Sequence, residues 1–219
     1  MFNVSRTEPA PASLLKKNGY LEEDVLISLR NIFSDKCYIC EIKDPTSLNV
    51  EHFDPHKGDI DKKHDWKNLF FVCGRCNNIK LAKYTNLLDC TDPDTDVFAA
   101  LRHIPPLTPY QEKLIIQATD SDPKTQETAR LVDEVFNTNA TINKKITGAY
   151  LRKKVFQRYN KFIELLNIYY DEELSQEKRE EAASRMKQTV SKKTEFSAFI
   201  RWIVMEDEDL KKILYQHFD

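Results

Sequence analysis

Two cysteine pairs, Cys37-x-x-Cys40 and Cys73-x-x-Cys76, carry four thiols at metal-ligand spacing. Zn²⁺ takes four soft ligands in a tetrahedron with bonds of about 2.3 Å to sulfur. A two-residue spacer lets one tight turn aim two sulfurs at the same ion, and two such pairs fill its coordination sphere. A filled sphere has no position for water, so this zinc would hold structure rather than react. Between the pairs runs "NVEHFDPHKGD", in which Glu51 and His52 stand side by side. With four thiolates present, His52 is not needed for the zinc. It is either a packing residue or a base, because imidazole titrates near neutral pH. In an extended segment Glu51 and His52 point to opposite faces. The carboxylate is then placed to hold a hard cation while the imidazole faces water. Asn77, in the first turn of a following helix, adds an oxygen donor. Few protein ligands and several waters suit Mg²⁺.

The order "CYIC … VEHFDP … WKNLFFVCGRCNNIK" resembles the zinc-bearing form of the HNH nuclease family. That pattern runs cysteine pair, (D/E)-H-x-x-P, N-L, C-x-x-C-N-x-x-K. It is matched by Glu51 to Pro55, Asn68-Leu69, and Cys73 through Lys80. The resemblance implies a small ββα-metal fold and metal-dependent hydrolysis of phosphodiesters. His52 would be the general base, Glu51 and Asn77 the Mg²⁺ ligands, and the four cysteines the structural zinc site. It assigns Asn68 the ordering of the loop that carries the base. Such hydrolysis needs an activated water, charge neutralisation on the phosphate and help for the leaving oxygen. Lys80, one turn after Asn77 on the same helical face, is a candidate phosphate contact, and Arg75 is another. The family usually has aspartate where this chain has Glu51. The extra methylene would set the cation farther from the backbone.

The elements that must position these residues follow from the pattern on either side. The chain has 219 residues, 41% apolar and 31% charged, with only four glycines. Such a composition favours charged helices over a β-sandwich. The expected fold class is α+β, mostly α: a small ββα-metal HNH module with structural zinc and an α-helical C-terminal region. The expected divisions are an N-terminal arm and helix over 1–34, the HNH module over 35–90, and a connector with helices over 91–219. Leu21, Val25, Leu29 and Phe33 recur every four residues, one face of a helix. "SLNVEHF" reads as strand, and helix signals return over "CNNIKLAKYTNLL". Residues 89–123 carry Asp, Pro and Thr clusters interrupted by apolar residues, a wrapped connector. Asp122 and Pro123 open a helix as N-cap and first residue. A long helix covers "TINKKITGAYLRKKVFQRYNKFIELLNIYY", with Gly148 a weak point inside it. Helices follow at "SQEKREEAASRMKQTV", "TEFSAFIRWIVM" and "EDLKKILYQHF". Cys90 is expected as a small buried residue, and His103 and His217 as structural ones. His56 and His64 lie near the motif but off its pattern.

The net charge of −2 excludes a uniformly basic coat, but not a local one. Between Thr141 and Phe162 the basic residues Lys144, Lys145, Arg152, Lys153, Lys154, Arg158 and Lys161 meet no acidic residue. Lys153, Lys154 and Arg158 are candidates for following a DNA or RNA backbone. The bland alternative is a solvated face opposite the inward Ile146, Leu151, Val155 and Phe162. The N-terminus has no apolar run and no stretch approaches the length of a membrane span. The expected location is the cytoplasm, where paired cysteines bind metal rather than form disulfides.

By layout, including a proline-containing arm and the segment "DPKTQETARLVDEVFNTN", the whole chain is similar to the PtuB-type HNH proteins of Septu antiphage systems. These also occur beside retrons. The resemblance implies a defence effector that works with a PtuA-type ATPase or a retron reverse transcriptase–msDNA complex. The rival expectation is a zinc-stabilised nucleic-acid-binding or adaptor module without nuclease activity.

Overall fold

The computed structural model of the chain describes residues 1–45, 47–139 and 146–219. Helix α1 (Glu23–Ile32) forms where the four-residue apolar spacing lies. Its first turn carries Glu23 and Asp24 and its last Arg30, both favourable to the helix dipole. Val25, Leu29 and the capping Phe33 are buried. Two residues with positive φ, Ser34 and Asp35, turn the chain into the first cysteine pair. Strand β1 (Leu48–His52) then pairs antiparallel with β2 (Leu69–Cys73), setting Glu51 opposite Phe70 and His52 opposite Leu69. The intervening loop holds the short α2 (Ile60–His64), with Asp59 accepting from two N–H groups as N-cap. Helix α3 (Gly74–Lys80) leaves β2 directly and packs across both strands. It stops at Leu81, whose φ of +39° is outside helical space, well short of the helix expected through Leu88.

The arm is not free. Met1, Phe2 and Val4 are buried, Val4 N–H donates to the Cys90 carbonyl, and Arg6 donates to the carbonyls of Lys67 and Leu69. The connector also holds more structure than its Pro and Asp clusters suggest. It contains α4 (Val97–Ala100) and a second antiparallel hairpin, β3 (Leu101–Ile104) with β4 (Ile115–Ala118). Helix α5 (Pro123–Asn137) starts as expected, with Asp122 accepting from the N–H groups of Lys124 and Thr125. The long helix α6 (Gly148–Tyr170) begins at Gly148 instead of running through it. A Cβ there would lie 2.4 Å from the Thr138 carbonyl oxygen, so glycine permits the close crossing of α5's end. Lys144, Lys145 and the start proposed for this helix lie outside the described residues. Helices α7 (Gln176–Thr189), α8 (Ser197–Met205) and α9 (Glu208–Leu214) complete the chain, α7 on α6 and α8 on β3. The architecture is mostly helical with two small sheets. No helix of the described residues is long and apolar enough to cross a membrane.

One apolar cluster takes residues from the arm, the first hairpin, the second hairpin, α5 and α8. A second joins α6, α7, α8 and α9 around Phe162, Met186 and Val204. Between them runs a buried polar network. Lys36 Nζ lies 2.9 Å from Glu41 and donates to the carbonyls of Lys192 and Thr194. Glu41 also accepts from Ser197, and burial that would raise its carboxyl is overcome by Lys36, which holds it well below the usual range. Buried His103 lies in the same core, and burial pushes its imidazole down to about 3.

These two groups set a pH dependence of the same sign. An unfolded imidazole takes a proton below about pH 6.5, whereas His103 in the fold refuses it until about 3. Within that window the unfolded state binds the extra proton, so stability falls as pH falls, by about 1.4 kcal/mol per unit from this group. Glu41 adds stability above about pH 4.3 that is lost below it. Relative to His103→Gln, the urea midpoint of the parent is expected to fall as pH goes from 7.5 to 5.5, the comparison cancelling every other titrating group. Parallel pH dependence of the parent and His103→Gln would contradict the buried neutral imidazole.

Candidate active site and metal centre

The first cysteine pair is shaped by backbone alone. Cys37 N–H donates to Ile42, Glu41 N–H donates to Cys37, and Tyr38 N–H reaches Phe71 on β2, fixing the turn to the hairpin. The second pair is shaped by helix α3. Cys73 is its N-cap, and its sulfur accepts the Cys76 N–H at 3.5 Å. All four sulfurs are buried and lie within 4.8 Å of one another, with Cys40 and Cys73 3.8 Å apart. A tetrahedron with bonds of about 2.3 Å has edges of about 3.8 Å, so the donor set fits zinc. When bound, the ion would cross-link the loop before β1 to the helix after β2.

Arg75, between these cysteines, is not available to nucleic acid. It is fully buried, and its guanidinium donates to the Val135 carbonyl at 2.8 Å and the Thr138 carbonyl at 2.6 Å. The last carbonyls of a helix lack intrahelical donors. Arg75 supplies them for α5 and so ties the four-cysteine module to the helical part. The expectation of a surface contact is corrected.

Glu51 and Lys80 are corrected in the same way. Glu51 lies on the inner face of β1. Its Oε1 is 2.7 Å from Lys80 Nζ, and its Oε2 accepts from the Tyr38 hydroxyl at 3.0 Å. Lys80 is fully buried and also donates to the Phe53 carbonyl at 2.9 Å, so it meets no phosphate at the surface. Burial pushes the Glu51 carboxyl up to about 7, against the opposing pull of Lys80 and Tyr38. Asn77 stands half-buried on α3, one turn before Lys80. This arrangement does not fit Mg²⁺ on Glu51 and Asn77, because an ammonium and a hydroxyl already hold both carboxylate oxygens. Removing one partner of a buried pair typically costs about 3–5 kcal/mol. Lys80→Met is therefore expected to lose that much in denaturant unfolding at pH 7, with most regained in Lys80→Met/Glu51→Gln. Equal stability of Lys80→Met and the parent would show that the pair contributes nothing.

His52 ends β1 on the other face. A carbonyl has no proton to give, so His52 Nε2 donates to the Lys63 carbonyl, 3.0 Å away. That leaves Nδ1 as the unprotonated nitrogen of the neutral ring. Half-burial lowers its pKa, partly offset by the Lys63 carbonyl, which favours the neutral form at pH 7. The ring packs edge-on against Tyr20 at 5.3 Å and His56 at 4.6 Å. Asn68 orders the loop beside it. Its Oδ1 accepts from Asp54 N–H at 2.7 Å, and its Nδ2 donates to the carbonyls of Asp54 and Lys62. The residue after Lys62 carries the carbonyl that orients His52. Tyr20 carries no sequence signal, since it meets His52 only through the packing of the arm.

Of the basic run on α6, Arg152 is buried and spent on the carbonyls of Gln111 and Phe136. Lys153 is exposed, Lys154 lies 5.9 Å from the Tyr150 ring, and Arg158 faces Glu195 at 3.6 Å.

A hairpin crossed by a helix, with four clustered sulfurs and a histidine at a strand end, is consistent with a small ββα-metal module. The family model described as HNH endonuclease matches residues 37–83, the segment that contains this core. The domain implies a nuclease function and nucleic-acid binding. No curated protein matches the chain.

Proposed function

We propose that the chain hydrolyses phosphodiester bonds of DNA or RNA with His52 as general base. The observation that carries this is the oriented ring: Nε2 is committed to the Lys63 carbonyl, and Nδ1 has no hydrogen-bond partner among the described residues. A water giving its proton to Nδ1 attacks phosphorus in line, and the bond to the leaving 3′-oxygen breaks. Asn68 acts as a positioning residue through the loop it holds. HNH nucleases use divalent metals, but both oxygens of Glu51 are held here by Lys80 and Tyr38. Glu51 becomes available only if Lys80 leaves it. Similarity in layout to PtuB-type proteins supports an effector role in antiphage defence. Its partner would be a PtuA-type ATPase or a retron reverse transcriptase–msDNA complex.

The Glu51–Lys80 pair favours a second reading, a zinc-stabilised adaptor that binds nucleic acid without cutting it. One incubation separates the two. Plasmid DNA and total RNA are exposed to the chain in Mg²⁺ or EDTA, beside His52→Ala, with and without the ATPase. Metal-dependent cutting lost in His52→Ala supports the nuclease and reports its substrate. Intact nucleic acid in every lane, bound equally well in EDTA, supports the adaptor.

A further inference from the structure

A cavity of about 250 Å³ opens between α6, α7 and the segment leading into α8. None of its lining residues belongs to β1, β2 or α3. Five cations converge on it, Lys43, Arg158, Lys161, Arg185 and Lys193, against one carboxylate, Glu195. That carboxylate is already engaged. Its Oε1 accepts from Lys43 N–H at 3.1 Å, and its Oε2 lies 3.6 Å from Arg158. Among the described residues, the ion pair of Arg185 is a 4.0 Å approach to Glu181 on its own helix. Like charges drawn from four separate stretches of chain repel one another, and a concave wall of one sign concentrates counter-ions. The cavity has no aromatic residue to take a base, so its ligand is recognised by phosphate. An adjoining cavity of about 270 Å³ shares Lys161 and Arg185 and adds Phe156, with its carboxylate Glu164 bonded to Asn160. Charge followed by an aromatic face is the layout that holds a nucleic-acid strand irrespective of sequence.

We infer that this groove binds backbone phosphates of a single nucleic-acid strand, at a site apart from the histidine of the first hairpin. The inference rests on the reading of the chain as a nucleic-acid protein, but not on cleavage. Kd values of fluorescein-labelled single-stranded DNA and RNA oligonucleotides are measured by anisotropy in EDTA, across a salt series. The full chain is compared with Arg158→Gln/Lys161→Gln/Arg185→Gln. Lys161→Gln/Lys193→Gln, which removes only exposed side chains, guards against misfolding. Each variant is expected to bind about tenfold more weakly or worse. The slope of log K against log salt should flatten by about 0.7 per lost phosphate contact. Unchanged Kd and slope in both variants would overturn the proposal. So would inorganic pyrophosphate that binds the parent but not the variants while oligonucleotide binding is unaltered; that result would assign the cavity to a free polyphosphate. If nothing is ever cut yet this binding persists, the groove stands and the nuclease reading falls.

Discussion

Replacing His52 by alanine is expected to lower the rate of strand cleavage by about 10²- to 10⁴-fold, the usual contribution of a positioned general base. The substitution removes a half-buried ring whose contacts are Tyr20, His56 and one carbonyl. The fold should survive, so circular dichroism and zinc content should match the parent. The pH profile adds a readout that packing alone would not supply. The rate should rise through the pKa of His52, which burial holds below the ordinary histidine value. Asn68→Ala is expected to slow cleavage through disorder of the 54–63 loop and, by loosening the burial of His52, to move the pH profile toward the ordinary histidine value. If His52→Ala cleaves like the parent, the assignment of the base is wrong.

Loss of the metal from the four-cysteine cluster should be more damaging than any single side-chain change elsewhere. Structural zinc contributes on the order of 10–16 kcal/mol in small zinc-folded peptides, comparable with the whole stability of a typical domain, about 5–15 kcal/mol. Here the cysteines sit inside the main apolar cluster. Without an ion, four buried sulfurs would face one another with nothing to hold them. Cys73→Ser is expected to be insoluble or unfolded, and the parent should lose its cooperative thermal transition in a strong chelator. Cys90→Ser should keep the parent's zinc content, because Cys90 is no part of the cluster. Metal-free protein that melts at the temperature of the zinc-loaded form would refute a structural ion.

What the sequence made readable is what neighbouring residues encode. The cysteine pairs announce their turns by spacing, α1 by its apolar period, and α5 by Asp122 and Pro123. His52 and Asn68 could be singled out because their order in the motif is local. What stayed hidden depends on which side of an element is covered. Lys80 and Arg75 read as cations on a short helix, and nothing near them says that α5 and β1 close over both. Arg75's acceptors lie some 60 positions downstream. Strand alternation sets Glu51 and His52 on opposite faces, but it does not say that the face of Glu51 points into the core. The second hairpin went unread because its strands are four residues each, separated by a proline-containing loop. Gly148 seemed a flaw in a helix and is instead the place where two helices nearly touch.

The buried charges flanking the cysteines make this four-cysteine domain hard to transplant. Lys36 donates across to residues 192 and 194, and Arg75 to 135 and 138. A fragment cut out near residues 35 and 90 would leave the Lys36 ammonium only Glu41 and the Arg75 guanidinium none of these acceptors. It would also uncover the apolar surface on which α5 and α8 rest. Grafted into another chain, the same segment would keep its ligands and lose its foundation. The body that must travel with it is nearly the whole chain. Additions are better tolerated at the exposed loop between Leu107 and Tyr110, where no packing is interrupted.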